Sequence, residues 1–147
     1  MASRFGTGLL IWMSLLSAGW ADVTVENPWA RASFGPNSAL FMTLVNPMEA
    51  SETLIGAQIG GCDHVELHNH IETHGIFRMV EVKEIVVPGR CKVELKPGGY
   101  HLMLMALKAP LLREENVSVT LFFKGGKTLD LVVPVKTEGV LRCCDGG

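Results

Sequence analysis

From Asp22 onward the chain alternates short apolar runs with turn-forming residues. Residues 38–45 end at Asn46-Pro47, residues 52–59 end at Gly60-Gly61, and residues 64–71 lead into a polar bend over 72–75. Further runs cover 77–82, 84–87, 92–95, 101–106, 117–123 and 128–135. No stretch after residue 21 sustains a helical period over three turns. Runs of this length, bounded by Gly, Pro and Asn, predict β-strands. Pro88-Gly89, Pro97-Gly98-Gly99 and Gly125-Gly126 then read as corners, since Pro fixes φ and Gly supplies positive φ. Many short strands at such spacing predict an all-β sandwich or barrel. No internal repeat or low-complexity linker interrupts it.

Residues 1–21 differ from the rest. Arg4 is the only charge, an apolar run covers 9–16, and Ser17, Ala18, Gly19 and Ala21 close the segment. This layout predicts a secretory signal peptide cleaved after Ala21, too short and wrongly flanked for a stable membrane span. No cysteine stands at that boundary, so nothing there suggests a lipid anchor. Removing it takes Arg4 from 13 basic residues, leaving 12 against 15 acidic ones and a formal charge of −3. That balance argues against nucleic acid as a partner. The remaining 126 of 147 residues suffice for one hydrophobic core, and we expect a single domain over 22–136 with a loose tail over 137–147.

Candidate chemistry gathers in the middle of the chain. All five histidines lie between positions 64 and 101. Strand alternation puts His101, Met103 and Met105 on one face, with Leu102 and Leu104 on the other. It likewise puts His64, Glu66, His68 and His70 together, opposite Val65, Leu67, Asn69 and Ile71. A buried, unpaired imidazole is costly, so a row of them is either solvated or employed. An imidazole beside a thioether is the donor set of a soft-metal site, whereas His64, His70 and His74 read as solvated surface residues. No Ser or Cys nucleophile motif is present, and no enzymatic activity is expected.

His68, Met79, His101 and Met103 follow the spacing His-x10-Met-x21-His-x-Met. With the flanks Val65-Glu66-Leu67-His68 and Leu95-Lys96-Pro97-Gly98-Gly99-Tyr100-His101-Leu102-Met103-Leu104-Met105, this pattern resembles the periplasmic copper chaperone family PCu(A)C. The resemblance runs from about Asp22, through Glu26-Asn27-Pro28-Trp29-Ala30-Arg31, to about Val135. It implies a cupredoxin-like Greek-key β-barrel or sandwich that binds one Cu(I) through His68, Met79, His101 and Met103. It also implies a monomeric periplasmic metallochaperone serving cytochrome oxidase assembly, its recipient a copper-centre subunit or a Sco-type assembly factor. The donor set suits that metal on independent grounds. Thioethers favour Cu(I), have no proton to lose, and cannot form disulfides in an oxidising compartment.

The chain departs from its relatives in two places. Where many carry extra methionines near the first histidine, it offers Asn69, His70 and His74, which shift the balance towards Cu(II) or a second, looser site. Where some carry a tail rich in His and Met, it has Cys143 and Cys144. Those two residues, poorly placed to bond each other, either bridge molecules or bind soft metal as thiolates. Cys62 and Cys91 each stand at a strand entrance, so a disulfide between them is an open alternative. Two other functions compete with the carrier. One is a zinc- or Cu(II)-buffering protein using His64, His68, His70 and His74. The other is a copper redox protein on the same barrel, which would need a Cys thiolate beside two histidines.

Overall fold

A computed structural model describes residues 22–137; the expected signal peptide and the cysteines Cys143 and Cys144 lie outside the described residues. The regular elements are ten strands: β1 (Thr24–Arg31), β2 (Ser38–Val45), β3 (Glu52–Ile59), β4 (Cys62–Thr73), β5 (Ile76–Val82), β6 (Ile85–Val87), β7 (Lys92–Leu95), β8 (His101–Leu107), β9 (Asn116–Phe123) and β10 (Thr128–Lys136). They hydrogen-bond in the order β5-β4-β8-β2-β1-β10-β9-β3-β6, with β7 also on β2. All pairings are antiparallel except β1 with β10, which meet in parallel at Ala30–Val135 and Arg31–Lys136. The path has two ends, β5 and β6, so the sheet is open and folded over on itself. Leu40, Met42, Leu44, Leu67, Leu102 and Leu104 from one half share a single core cluster with Leu54, Ile85, Val87, Val119, Leu121 and Val133 from the other.

The apolar alternation places most strands within a residue or two of where they lie. β1 is the exception. Its pattern is broken by Glu26-Asn27-Pro28, and the register against β2 shifts between Glu26 and Trp29, where Asn27 adopts φ 48°. A bulge of this kind accommodates a proline that has no N–H for the ladder. Beyond it, Ala30 is fully buried and joins the two halves of the sheet.

β7 and β8 lie one after the other along the same edge of β2. Lys92 to Leu95 pair with Val45 to Met42, and Leu102 to Leu104 pair with Leu40 to Ser38. Between them the chain leaves the ladder, closed by Lys96 N–H donating to Tyr100 O at 2.9 Å and Gly99 N–H donating to Lys96 O at 3.0 Å. Gly98 sits at φ +85°, a conformation L side chains rarely adopt. This turn delivers His101 to the first position of β8.

The disulfide left open between Cys62 and Cys91 is not made, and among the described residues neither thiol has a disulfide partner. Cys62 pairs with Leu107, whose N–H donates to Pro36 O, while Cys91 O accepts from Asn46 N–H. These are opposite ends of β2, which is 8 residues long. At about 3.3 Å per residue the separation is roughly 26 Å, far beyond the ~7 Å that Cα atoms of a disulfide tolerate.

Leu104 is fully buried, whereas Met103 is half-buried on the opposite face. Leu104→Ala should therefore lower stability by about 2–5 kcal/mol, and Met103→Leu should leave the denaturation midpoint within about 0.5 kcal/mol of the parent. Urea unfolding of both variants checks the facing; the reverse order would refute it.

Candidate metal centre

Residues directly opposite in an antiparallel pair project from the same face. Between β4 and β8 the pairs are His64–Met105, Glu66–Met103 and His68–His101, alternating with Val65–Leu104 and Leu67–Leu102. The leucines take the core side, so the first set lies on the outer face. On the other edge of β4, His68 faces Glu81 and His70 faces Met79 across β5. One outer surface thus carries all four residues of the His-Met spacing, and His70 with them.

The β4–β8 ladder stops at His68–His101, but β4 and β5 continue as a two-stranded arm to their turn. The arm closes through His74 and Gly75, at φ 53° and 77°, between the paired Thr73 and Ile76. Positive φ at both central residues is the geometry of a type I′ hairpin. Where the arm leaves the body, Gly99 O accepts two hydrogen bonds, from His70 N–H at 3.3 Å and from His101 Nδ1 at 3.0 Å. A carbonyl can only accept, so His101 Nδ1 carries the proton and Nε2 keeps the lone pair.

His68 is oriented from its other side. Its Nε2 donates to Glu66 Oε2 at 2.7 Å, and its Nδ1 is buried with no hydrogen-bond partner among the described residues. A carboxylate fixing one ring nitrogen so that the other faces a metal is the recurrent support for a ligating histidine. Glu66, also in contact with His64, is held below the usual carboxylate range by hydrogen bonds from His68 and His64. His101 is 2% exposed, and burial pushes its pKa down. Charge on His70, His68 and Arg31 acts in the same direction, against the bond to Gly99. The Arg31 guanidinium lies 5.2 Å over the Phe41 ring, which in turn packs on Trp29 at 4.6 Å and His101 at 6.1 Å.

These side chains border a cleft of about 460 Å³ lined by Met79, His101 and Met103, by Phe41 and Phe77, and by Pro97 and Gly98 of the turn. Three of the four expected ligands meet there. His68 is not among the lining residues; its ring stands 5.6 Å from that of His101, with 14% of the side chain exposed. His70 lines the cleft, its ring stacked on His101 at 5.2 Å. Strand alternation places His70 on this face, where the sequence leaves it either as solvated surface or as part of a looser second site. The signal that finds it is the His74-Gly75 turn, because a two-residue loop there forces His70 opposite Met79. His64, paired with Asp63 and Glu66, lies six positions back along β4, about 20 Å from His70. Among the described residues no group of three His, Cys, Asp or Glu is arranged to hold a metal. The four-histidine zinc set is therefore not gathered, and no thiol of the described residues lines the cleft.

Residues 23–135 match the model of the "Putative lipoprotein LpqE-like" family. The chain belongs to the LpqE-like family. A Leifsonia xyli subsp. xyli protein named "Putative lipoprotein Lxx21020" is 35% identical over 115 residues, covering 78% of this chain and 69% of the relative. "Uncharacterized protein RP573" of Rickettsia prowazekii is 31% identical over 109 residues, covering 70% of this chain and 60% of its own length. Among solved structures, the copper-bound PCuAC domain from PmoF2 superposes with a TM-score of 0.67 at 22% identity, over 78% of this chain and 92% of that one. The Cu(I) form of DR1885 from Deinococcus radiodurans does so with a TM-score of 0.64 at 30% identity, over 83% and 84%. The LpqE-like chain therefore has the cupredoxin-like β fold of PCuAC domains, as the resemblance in its sequence implied.

Because the folded state holds His101 below the usual imidazole value, the unfolded chain takes up that proton first as pH falls. Its contribution to stability is lost as pH drops through about 6.5 towards the lowered folded value. His101→Asn keeps a donor for Gly99 O and cannot titrate, so it should show a shallower loss of stability between about pH 8 and 5. Denaturant unfolding across that range checks this, and identical pH profiles for variant and parent would contradict it.

Proposed function

We propose that this LpqE-like protein is an exported copper carrier, holding one Cu(I) between His68 and His101 and the thioethers of Met79 and Met103. The observation that supports this best is the pair of imidazoles, each with one nitrogen engaged by Gly99 O or Glu66 and the other left with a lone pair, beside two thioethers on one face. Such a mixed set suits a soft monovalent ion. Lowered basicity at His101 keeps its lone pair available. The copper named in the PmoF2 and DR1885 structures accords with this reading, as does the lipoprotein name of its family with export.

The same geometry suits release. Met79 is 46% exposed on the arm, while His101 is buried in the body. An acceptor's ligand can displace the outer thioether first and leave the inner ligands for later steps, so copper is never without partners. We assign delivery, in the periplasm, to the assembly of the cytochrome oxidase copper centre, by way of its copper-binding subunit or a Sco-type factor, as the family resemblance implies.

Competition of the purified protein with a Cu(I) chelator tests the site. One Cu(I) per chain is expected, with affinity falling by more than about tenfold in Met79→Leu with Met103→Leu, each removing one soft donor. Unchanged affinity, or tighter Zn(II) binding indifferent to these changes, would overturn the proposal.

A further inference from the structure

The two ends of the sheet are not alike. β6 is 3 residues long and runs straight into Pro88, so it offers little to a further strand. β5 is 7 residues long, contains neither Pro nor Gly, and keeps an unbroken register with β4 from Ile76 to Val82. Edge strands are commonly blunted by shortness, proline or a bulge. β5 has none of these, and its two charges, Arg78 and Glu81, are of opposite sign. Ile76, Phe77 and Met79 along it are 63%, 70% and 46% exposed.

The backbone groups that β5 presents follow from the ladder of the arm. Antiparallel pairs alternate between residues bonded to each other and residues whose N–H and C=O point away. His70 N–H points to the body, where it donates to Gly99 O at 3.3 Å. His70 and Met79 are therefore a pair of the second kind, and the backbone groups of Met79 point away from β4. By the same alternation so do those of Phe77 and Glu81. None of the three has an outer backbone partner among the described residues. Met79 thus holds its side chain in the cleft and its backbone on the open edge.

We propose that β5 is the docking edge for the copper acceptor, which adds an extended segment antiparallel to it with a soft donor side chain directly opposite Met79. This rests on the carrier reading of the cleft and specifies the form of its partner. In strand addition the main-chain hydrogen bonds give affinity and alternate side chains give selectivity. Opposed residues project from the same face with Cβ atoms about 4.5–5.5 Å apart, so the incoming donor arrives beside the thioether it replaces. Neighbouring positions are set as well. From its N to its C terminus the segment carries a cation opposite Glu81, a β-branched residue opposite Val80, the soft donor, an acid opposite Arg78 and an apolar residue opposite Phe77. A second copy of β5 does not fit this pattern, because two-fold antiparallel pairing about Met79 sets Phe77 against Glu81 and Arg78 against Val80.

The probe is a capped synthetic peptide of that pattern, Thr-Lys-Val-Met-Asp-Phe-Thr, added to the exported chain with and without Cu(I) and followed by amide NMR. Saturable shifts centred on Phe77, Met79 and Glu81 are expected in both forms, with slowed hydrogen exchange at those three amides. Only with copper bound should the methyl signal of the peptide's methionine also shift. N-methylating the peptide at Lys, Met and Phe, whose N–H groups point at β5, should weaken binding at least about tenfold, whereas N-methylating it at Val and Asp should change it by less than about threefold. Because these changes lie in the peptide, they leave the fold of the protein untouched. Equal binding of the two methylated peptides, or shifts centred away from β5, would overturn the docking edge while leaving the copper carrier intact. A chain that binds the peptide at β5 but takes up no Cu(I) would instead overturn the carrier reading, and the copper acceptor with it.

Discussion

Everything at this site depends on β4 and β8 meeting in one register, with Leu67 opposite Leu102 and His68 opposite His101. Side chains alternate at a period of two, so a slip of one residue would send the leucines to solvent and the histidines into the core. Burial of Leu67, Leu102 and Leu104 excludes that slip, each side chain contributing about 1.5–3 kcal/mol. The face that carries His68, His101 and Met103 is thus held in place by the opposite face, where the packing energy resides. Met79, 46% exposed on the arm, can therefore vary in position without cost to the core.

A second constraint acts where packing ends. The arm of β4 and β5 runs beyond β8, and Gly99 O joins it to the body by accepting from both His70 and His101. The turn holding that carbonyl depends on Gly98 at positive φ. Backbone chemistry of the turn therefore sets a tautomer, and the tautomer leaves the lone pair of His101 on Nε2. The site divides into a buried side, with His101 and the Glu66-supported His68, and an outer side, with exposed Met79 and half-buried His70 on the arm. Binding and release can belong to different sides of one cleft.

Much of this was legible in the sequence, because alternation and turn chemistry are local. β2, β3 and β7 lie where their apolar runs predicted, and Leu102 and Leu104 face the core as expected. What could not be read depended on contacts between distant segments. β1 was hidden because Pro28 and Asn27 break its pattern, and only pairing with β2 and β10 makes it a strand. Cys62 and Cys91 both stand at strand entrances, yet local position says nothing about which end of the sheet each entrance occupies. The position of His70 at the cleft follows from cross-strand pairing and from a turn carbonyl 29 residues along the chain.

The most direct measurement of the central claim, that imidazole and thioether converge at the junction of arm and body, is a methyl NMR spectrum of the exported chain labelled at methionine, recorded as Cu(I) is added. The methyl signals of Met79 and Met103 should shift together and stop at one equivalent of copper, while buried Met42 and the outlying Met105 stay in place. If Met79 and Met103 do not move, or if Met105 moves with Met103 and Met79 does not, copper is not held in this cleft by the proposed sulfurs.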